Sequence, residues 1–189
     1  MWKVAKSSGI IQSSGRWVGI NVSILTTGGT IDKTYNEFDG SLRNARSILE
    51  TILGTLRLPD LYIRHEAVMS KDSLEMTDED RETILQAVRM ALPTSDAVVV
   101  VHGTDTLSMT GDFLEEHLAG IDRPVVLTGA MRPYEFRDTD ALQNVTEALL
   151  AVRLLPPGVY VAMHNRVLRF PGVYKDRQAR TFRPQSEQA

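Results

Sequence analysis

Three short clusters hold the residue types that could do chemistry: Thr26-Thr27-Gly28-Gly29-Thr30, His102-Gly103-Thr104-Asp105-Thr106 and Thr128-Gly129-Ala130-Met131-Arg132-Pro133. Each is small, polar and glycine-containing, and each follows an apolar run. Two of them place a threonine directly after a glycine, Thr30 and Thr104, and the second adds Asp105. A hydroxyl is a weak nucleophile until a base takes its proton. Acyl transfer also needs N–H donors aimed at the developing oxyanion, which unhindered backbone such as Gly-Ala-Met can supply. The chain has no cysteine and no G-x-S-x-G elbow, so threonine is its best nucleophile candidate.

Each cluster taken alone has a plainer reading. Glycine-rich turns let a chain reverse after a strand. A phosphate cradle would need G-x-G-x-x-G or a Walker motif with its lysine, and neither is present. The second cluster could cap the next helix through Thr104 or Asp105. His102 near Asp105 could suggest a metal, but there are four histidines and no H-E-x-x-H pair, which argues against one. The combination is harder to dismiss. Two threonines, an aspartate and open N–H groups on one crevice are what threonine-based acyl transfer requires.

The elements that must position these clusters can be read from the pattern. Val22–Thr26, Ala97–Val101, Val125–Thr128 and Val159–Met163 are apolar, largely β-branched runs without polar alternation, as strands covered on both faces are. Helical spacing covers 46–56, 78–92, 106–118 and 140–154. Thr77 with Asp80 resembles a capping box, Gly120 stands where a helix C-terminus wants it, and Pro156-Pro157-Gly158 closes the last long helix. Alternating strands and helices predict a single α/β domain. It is a doubly wound, mainly parallel sheet in a three-layer, flavodoxin- or Rossmann-like sandwich. In such sheets ligands bind beyond the carboxyl ends of the strands, where the strand order reverses.

The 189 residues suit one domain able to bury its core without disulfides or metals. Residues 1–20 read as a poorly ordered N-terminal extension, 21–183 as the catalytic domain and 184–189 as a tail. A formal charge of -3 without a basic block argues against nucleic acid as a partner. No apolar run is long enough to span a bilayer, and the broken-up N-terminus lacks a secretory core, so the expected location is the cytoplasm.

With "TTGGTI", "VVHGTDTL" and "LTGAMRP" in this order, the chain resembles the bacterial-type L-asparaginases, threonine amidohydrolases, over about residues 22–182. The resemblance implies hydrolysis of L-asparagine without cofactor or metal, in a homo-oligomer. It makes Thr30 the nucleophile and Thr104, Asp105 and Lys175 the second catalytic group. A neutral Lys175 would serve as a base. A charged Lys175, favoured by Asp105 nearby, would orient Thr104 and a water. By the same mapping Ser73 holds the substrate carboxylate, Asp105 its ammonium, and the amides of Thr104 and Ala130 form the oxyanion hole. Gly29 lets the backbone approach the substrate, and Tyr35 is the loop tyrosine that activates Thr30. Leu74 stands where many relatives have a polar side chain. The resemblance covers only the first of the family's usual two domains, which implies weaker substrate binding unless another subunit compensates. Two other readings compete: the ammonia-generating subunit of a tRNA amidotransferase, and a non-catalytic asparagine or aspartate sensor.

Overall fold

A run such as Ala97–Val101 has no polar face to offer water, so it is stable only where both faces are covered. The computed structural model, which describes residues 19–44 and 47–188, places it at the centre of the protein. The elements in chain order are β1 (Ile20–Thr26), β2 (Lys33–Tyr35), β3 (Leu42–Asn44), α1 (Leu49–Thr55), β4 (Leu61–Ala67), α2 (Asp78–Ala91) and β5 (Ala97–Val101). They continue with α3 (Leu107–His117), β6 (Pro124–Thr128), α4 (Ala141–Ala151), β7 (Gly158–Met163), β8 (Arg166–Arg169), β9 (Val173–Asp176) and β10 (Thr181–Pro184).

Six strands form one sheet in the order β4-β1-β5-β6-β7-β8. The first five are parallel and β8 runs antiparallel. The β7–β8 hairpin turns on His164 and Asn165, both at positive φ, which matches the twist of the flanking strands. Helices cover both faces. Val98, Val100, Val125 and Leu127 pack with α2 and α3, whereas Ala97, Val99, Val101 and Val126 pack with α1 and α4. The expected doubly wound sandwich is therefore the one observed. From β1 the chain moves outward to β4, then returns to place β5 on the other side of β1. The order reverses between β1 and β5, and the first two polar clusters follow those strands.

Local signals set the helix ends. Thr77 accepts from the Asp80 amide while Asp80 accepts from the Thr77 amide, so the expected capping box starts α2. The helix expected from residue 46 begins at Leu49; Ala45 and Arg46 lie outside the described residues. The last long helix ends at Ala151 rather than 154, because the following residues bond three back instead of four, Arg153 to Leu150 and Leu154 to Ala151. Gly120 takes the positive φ expected just beyond α3.

Four differences from the sequence reading concern strands, beside the short antiparallel β8, which it also did not predict. Edge strand β4 was missed because one of its faces is open and its side chains alternate, with Tyr62, Arg64 and Glu66 outward. The β2–β3 and β9–β10 ribbons are too short to show a pattern. Ile20, placed in the extension, begins β1; residues 1–18 lie outside the described residues. The expected tail starts within β10, since Pro184 belongs to that strand and the Gln185 amide bonds to Gly172 O at 2.8 Å.

One close contact fixes how the end of the chain sits on the sheet. A Cβ on Gly111 of α3 would lie 2.1 Å from the Phe170 ring, so the buried ring rests on bare helix backbone. Phe170→Ala should cost about 3–5 kcal/mol of unfolding free energy in denaturant titrations, the range for emptying a buried aromatic site. Thr77→Ala, which removes only a cap, should cost about 1 kcal/mol.

Candidate active site

The ends of β1 and β5 are tied before they diverge. Thr27 donates from both its amide and its hydroxyl to Val101 O, each at 3.0 Å, and the Thr26 hydroxyl pairs with His65 Nε2 at 3.0 Å. The first two threonines of the cluster are thus structural. Gly28 and Gly29, at φ 94° and 92°, turn the chain into a short 3-10 turn over Thr30–Asp32. A Cβ on Gly29 would lie 2.4 Å from the Cα of Gly103, so the two backbones are in direct contact. That contact brings the turns carrying Thr30 and Thr104 together. The half-buried Thr30 side chain makes no hydrogen bond to a protein group among the described residues. Behind it, buried Asp32 accepts the Ile48 amide at 2.9 Å and so seats the start of α1. Burial pushes its carboxyl up, opposed by the bonds from Ile48 and Ser47.

His102 is fully buried, and it is a strut, a role the sequence did not suggest. Its Nδ1 lies 2.8 Å from Gly103 O, and its Nε2 lies 2.9 Å from the Thr110 hydroxyl. A carbonyl can only accept, which puts the ring proton on Nδ1 and leaves Nε2 to accept from Thr110. Burial lowers its pKa to about 4, so the ring is neutral near pH 7. Among the described residues no group of three or more His, Asp or Glu could hold a metal.

The capping reading of the second cluster does not hold. Thr106 occupies the N-cap of α3, and its hydroxyl goes elsewhere, to Ser73 O at 2.8 Å. Thr104 and Asp105 are held instead by Lys175 from β9. Its Nζ donates to Thr104 Oγ1 at 2.7 Å and to Asp105 Oδ1 at 3.0 Å. Arg177, which the sequence reading did not single out, reaches the same Oδ1 at 3.1 Å.

The third cluster is braced by a half-buried carboxylate, also missed. Asp140 accepts the amides of Met131 and Arg132 at 2.9 and 3.0 Å, Asn144 Nδ2 at 2.8 Å, and His164 Nε2 at 2.8 Å. Burial alone would raise its pKa, but the bonds from His164 and the two amides prevail and bring it to about 2. Asn144 also donates to Gly129 O at 2.9 Å, which fixes the turn carrying Ala130. Among the described residues neither the Ala130 amide nor the Thr104 amide donates to a protein acceptor.

Ser73 is buried against Gly103, and its hydroxyl has no partner among the described residues. Asp72 positions it by accepting the Leu74 amide at 3.0 Å and Lys33 Nζ at 2.6 Å. The Lys33 bond chiefly lowers the Asp72 pKa, and it ties the Thr30 turn to the serine loop. Leu74 is 67% exposed, so it is no core residue. Among the described residues Tyr35 makes no hydrogen bond to either threonine. It is 57% exposed on the β2–β3 ribbon, its hydroxyl lies beside Gly40, and its amide donates to Glu135. A cleft of about 330 Å³ at the opposite end of the sheet is lined by Leu58, Leu61, Leu149 and Leu150. It offers no comparable polar set: its Arg153 bonds the carbonyls of Pro59 and Asp60.

The His102 strut has a measurable signature. Its folded pKa lies below the usual value of 6.5, so between about 4 and 6.5 the unfolded chain binds the extra proton. Stability should therefore be full above pH 6.5 and fall as the pH drops towards 4, by about 2–3 kcal/mol at pH 4.5. Denaturant titrations from pH 7 to 4.5 should show this slope, and His102→Gln should flatten it.

Sequence and structure comparisons bear on this arrangement. The family profile described as "Asparaginase, N-terminal" matches residues 21–186. The L-asparaginase of Thermococcus kodakarensis is 33% identical over 145 residues, 77% of this chain and 44% of that protein. The solved structure of the thermostable L-asparaginase from Thermococcus kodakarensis superposes with a TM-score of 0.79 at 31% identity, covering 87% of this chain and 51% of that one. A "probable cytoplasmic L-asparaginase" from Campylobacter jejuni gives 0.70 at 32%, over 82% and 49% of the two chains. A glutamyl-tRNA(Gln) amidotransferase component from Metallosphaera sedula is 34% identical over 147 residues, 76% of this chain and 34% of that protein. The chain spans about half the length of the asparaginases it matches, or less. It belongs to the asparaginase family, to which it corresponds in the N-terminal domain.

Proposed function

We propose that this domain hydrolyses L-asparagine to L-aspartate and ammonia through an acyl-threonine intermediate. One observation carries the reading: Lys175 is brought across 71 residues to donate to both Thr104 and Asp105, on the turn packed against the one carrying Thr30, whose side chain has no hydrogen-bond partner among the described residues. A capping or turn role for "HGTDT" would not need that lysine.

In this scheme Thr30 Oγ attacks the side-chain amide carbon. The new C–O bond forms as the C–N bond breaks, and the hydroxyl proton leaves with the amine as ammonia. The oxyanion is held by the unpaired amides of Thr104 and Ala130. A water oriented by Thr104 and Lys175 then cleaves the ester, releases aspartate and returns a proton to Thr30. The buried, unpartnered Ser73 hydroxyl supports its role on the substrate carboxylate, and Asp105 faces the ammonium. Gly29 keeps its wall of the crevice thin enough for the substrate to lie against backbone. Tyr35 is the proposed activator of Thr30, which requires the β2–β3 ribbon to close over the crevice. The reaction uses no cofactor. The cytoplasmic location is supported by the Campylobacter neighbour, whose name calls it cytoplasmic. No helix among the described residues is long and apolar enough to cross a membrane. A homo-oligomer is supported by the outward apolar side chains Leu142, Leu150 and Leu154, which association would cover.

The test is ammonia release from asparagine and glutamine by the purified protein. Thr30→Ala should lower kcat by at least about 10³-fold, and Lys175→Met by about 10²–10³-fold. Turnover that survives in Thr30→Ala would move the nucleophile to Thr104. Ammonia release that needs a tRNA-dependent partner would favour the amidotransferase component, and asparagine binding without turnover would favour a sensor.

A further inference from the structure

His164 joins two parts of the site that sit on separate sheets. Its ring Nε2 lies 2.8 Å from Asp140 Oδ2, and its Nδ1 lies 3.1 Å from the Thr181 hydroxyl. Asp140 is ionised near pH 7, with a pKa of about 2, so its oxygens can only accept. Nε2 must then carry a proton, and in the neutral ring Nδ1 accepts from Thr181. A hydroxyl can also accept, so the second bond survives when the ring is charged. On one side the chain of bonds runs on through Asp140 to the amides of Met131 and Arg132, in the turn carrying Ala130. On the other, Thr181 stands in β10 opposite Asp176, next to the Phe182–Lys175 pair of the same ladder. The imidazole thus bridges the proposed oxyanion turn and the ribbon that presents Lys175.

Apolar packing alone would not fix that spacing. The β9–β10 ribbon is no part of the six-stranded sheet, and Val173 and Phe182 anchor it in the core. Apolar contact is non-directional, whereas a hydrogen bond weakens steeply with distance and angle. The hairpin turn itself does not depend on the ring. The His164 amide donates to Asn144 Oδ1 at 3.1 Å, and the Asn165 amide donates to Glu147 Oε2 at 2.8 Å. The side chain is therefore available to the site. Resting on the amidohydrolase reading above, we propose that His164 is a positioning residue that fixes the Lys175 ribbon relative to the Ala130 turn. Its Thr181 arm serves the second half-reaction, in which Lys175 orients the water. Its Asp140 arm serves both halves, since the same oxyanion donors act in each.

Three variants separate the arms. Thr181→Val and His164→Gln remove the Thr181 bond, the second while keeping a donor near the Nε2 position. His164→Asn keeps a polar atom near Nδ1 and removes the Asp140 bond, and asparagine tolerates the positive φ of this turn. Amide hydrogen exchange should quicken about fivefold over residues 173–184 in the first two variants, with Met131 and Arg132 unchanged. In His164→Asn the pattern should invert. In asparagine turnover, Thr181→Val and His164→Gln should lower kcat about tenfold with kcat/KM little changed. They should also enlarge the initial burst of ammonia, as slow ester cleavage requires. His164→Asn should lower kcat/KM as well. Combining Thr181→Val with His164→Gln should be no worse than either change alone. Equal loosening of both segments in all three variants, or a uniform fall in kcat/KM, makes the ring a merely structural prop and overturns the proposal. So does no change in any of them. Exchange is read without turnover, so the two readings fail separately. Absence of ammonia release by the wild-type protein removes the hydrolase reading, while the exchange pattern still decides whether His164 couples turn and ribbon.

Discussion

Two backbones touch where the strand order reverses, and the rest of the site depends on that contact. Gly29 and Gly103 sit so close that a methyl group on the first would meet the Cα of the second. The ladder beneath them is regular, β1 beside β5 from Val22↔Ala97 to Thr26↔Val101, and Thr27 extends it by one residue. Only past that point do the chains part, each delivering one threonine. The sheet supplies the direction and the glycines remove the bulk. A side chain at Gly29 would hold the two hydroxyl-bearing turns apart, and one at Gly103 would strike Ser73.

Around that contact, polar groups act as fixings more than as catalysts. His102 is neutral because it is buried, and it locks the carbonyl of Gly103. Asp140 collects two amides, an amide side chain and His164, and so holds the turn that carries Ala130. The Lys33–Asp72 pair joins the Thr30 turn to the serine loop. Such pairs contribute modest net stability, because desolvation offsets their attraction. Their effect is to leave each loop one arrangement. What they leave unpaired is informative: the Ser73 hydroxyl and the amides of Thr104 and Ala130 keep their hydrogen-bonding capacity for something other than the protein.

Much of the fold could be read from the sequence because the inner strands are continuous β-branched runs and the long helices keep a clear period. Ala97–Val101 needed no context, and Thr77 with Asp80 marked the start of α2 unaided. Edge strand β4 escaped because half of its residues face water. In the site, the Gly-Thr pairs stood out by type and position, since strand ends in a doubly wound sheet converge. Lys175 came only from the family resemblance. Nothing in "VYKDRQ" points to a partner 71 residues earlier, and Arg177 was invisible for the same reason. His102 looked like a ligand candidate because sequence shows residue type but not burial. Tyr35 stands on a ribbon whose position relative to Thr30 no local pattern sets.

The β9–β10 ribbon lies outside the six-stranded sheet, yet it carries both cations that meet Asp105. It is held to the body by Val173 and Phe182 in the core beside α3, and by the Thr181–His164 bond. A two-stranded ribbon has few ladder bonds of its own, so it can open at a free energy well below that of the whole domain. On warming, the protein would then lose its cationic corner while its sheet and helices are still intact. Heat inactivation would precede melting, and it would reverse on cooling as long as the sheet survives to receive the ribbon again.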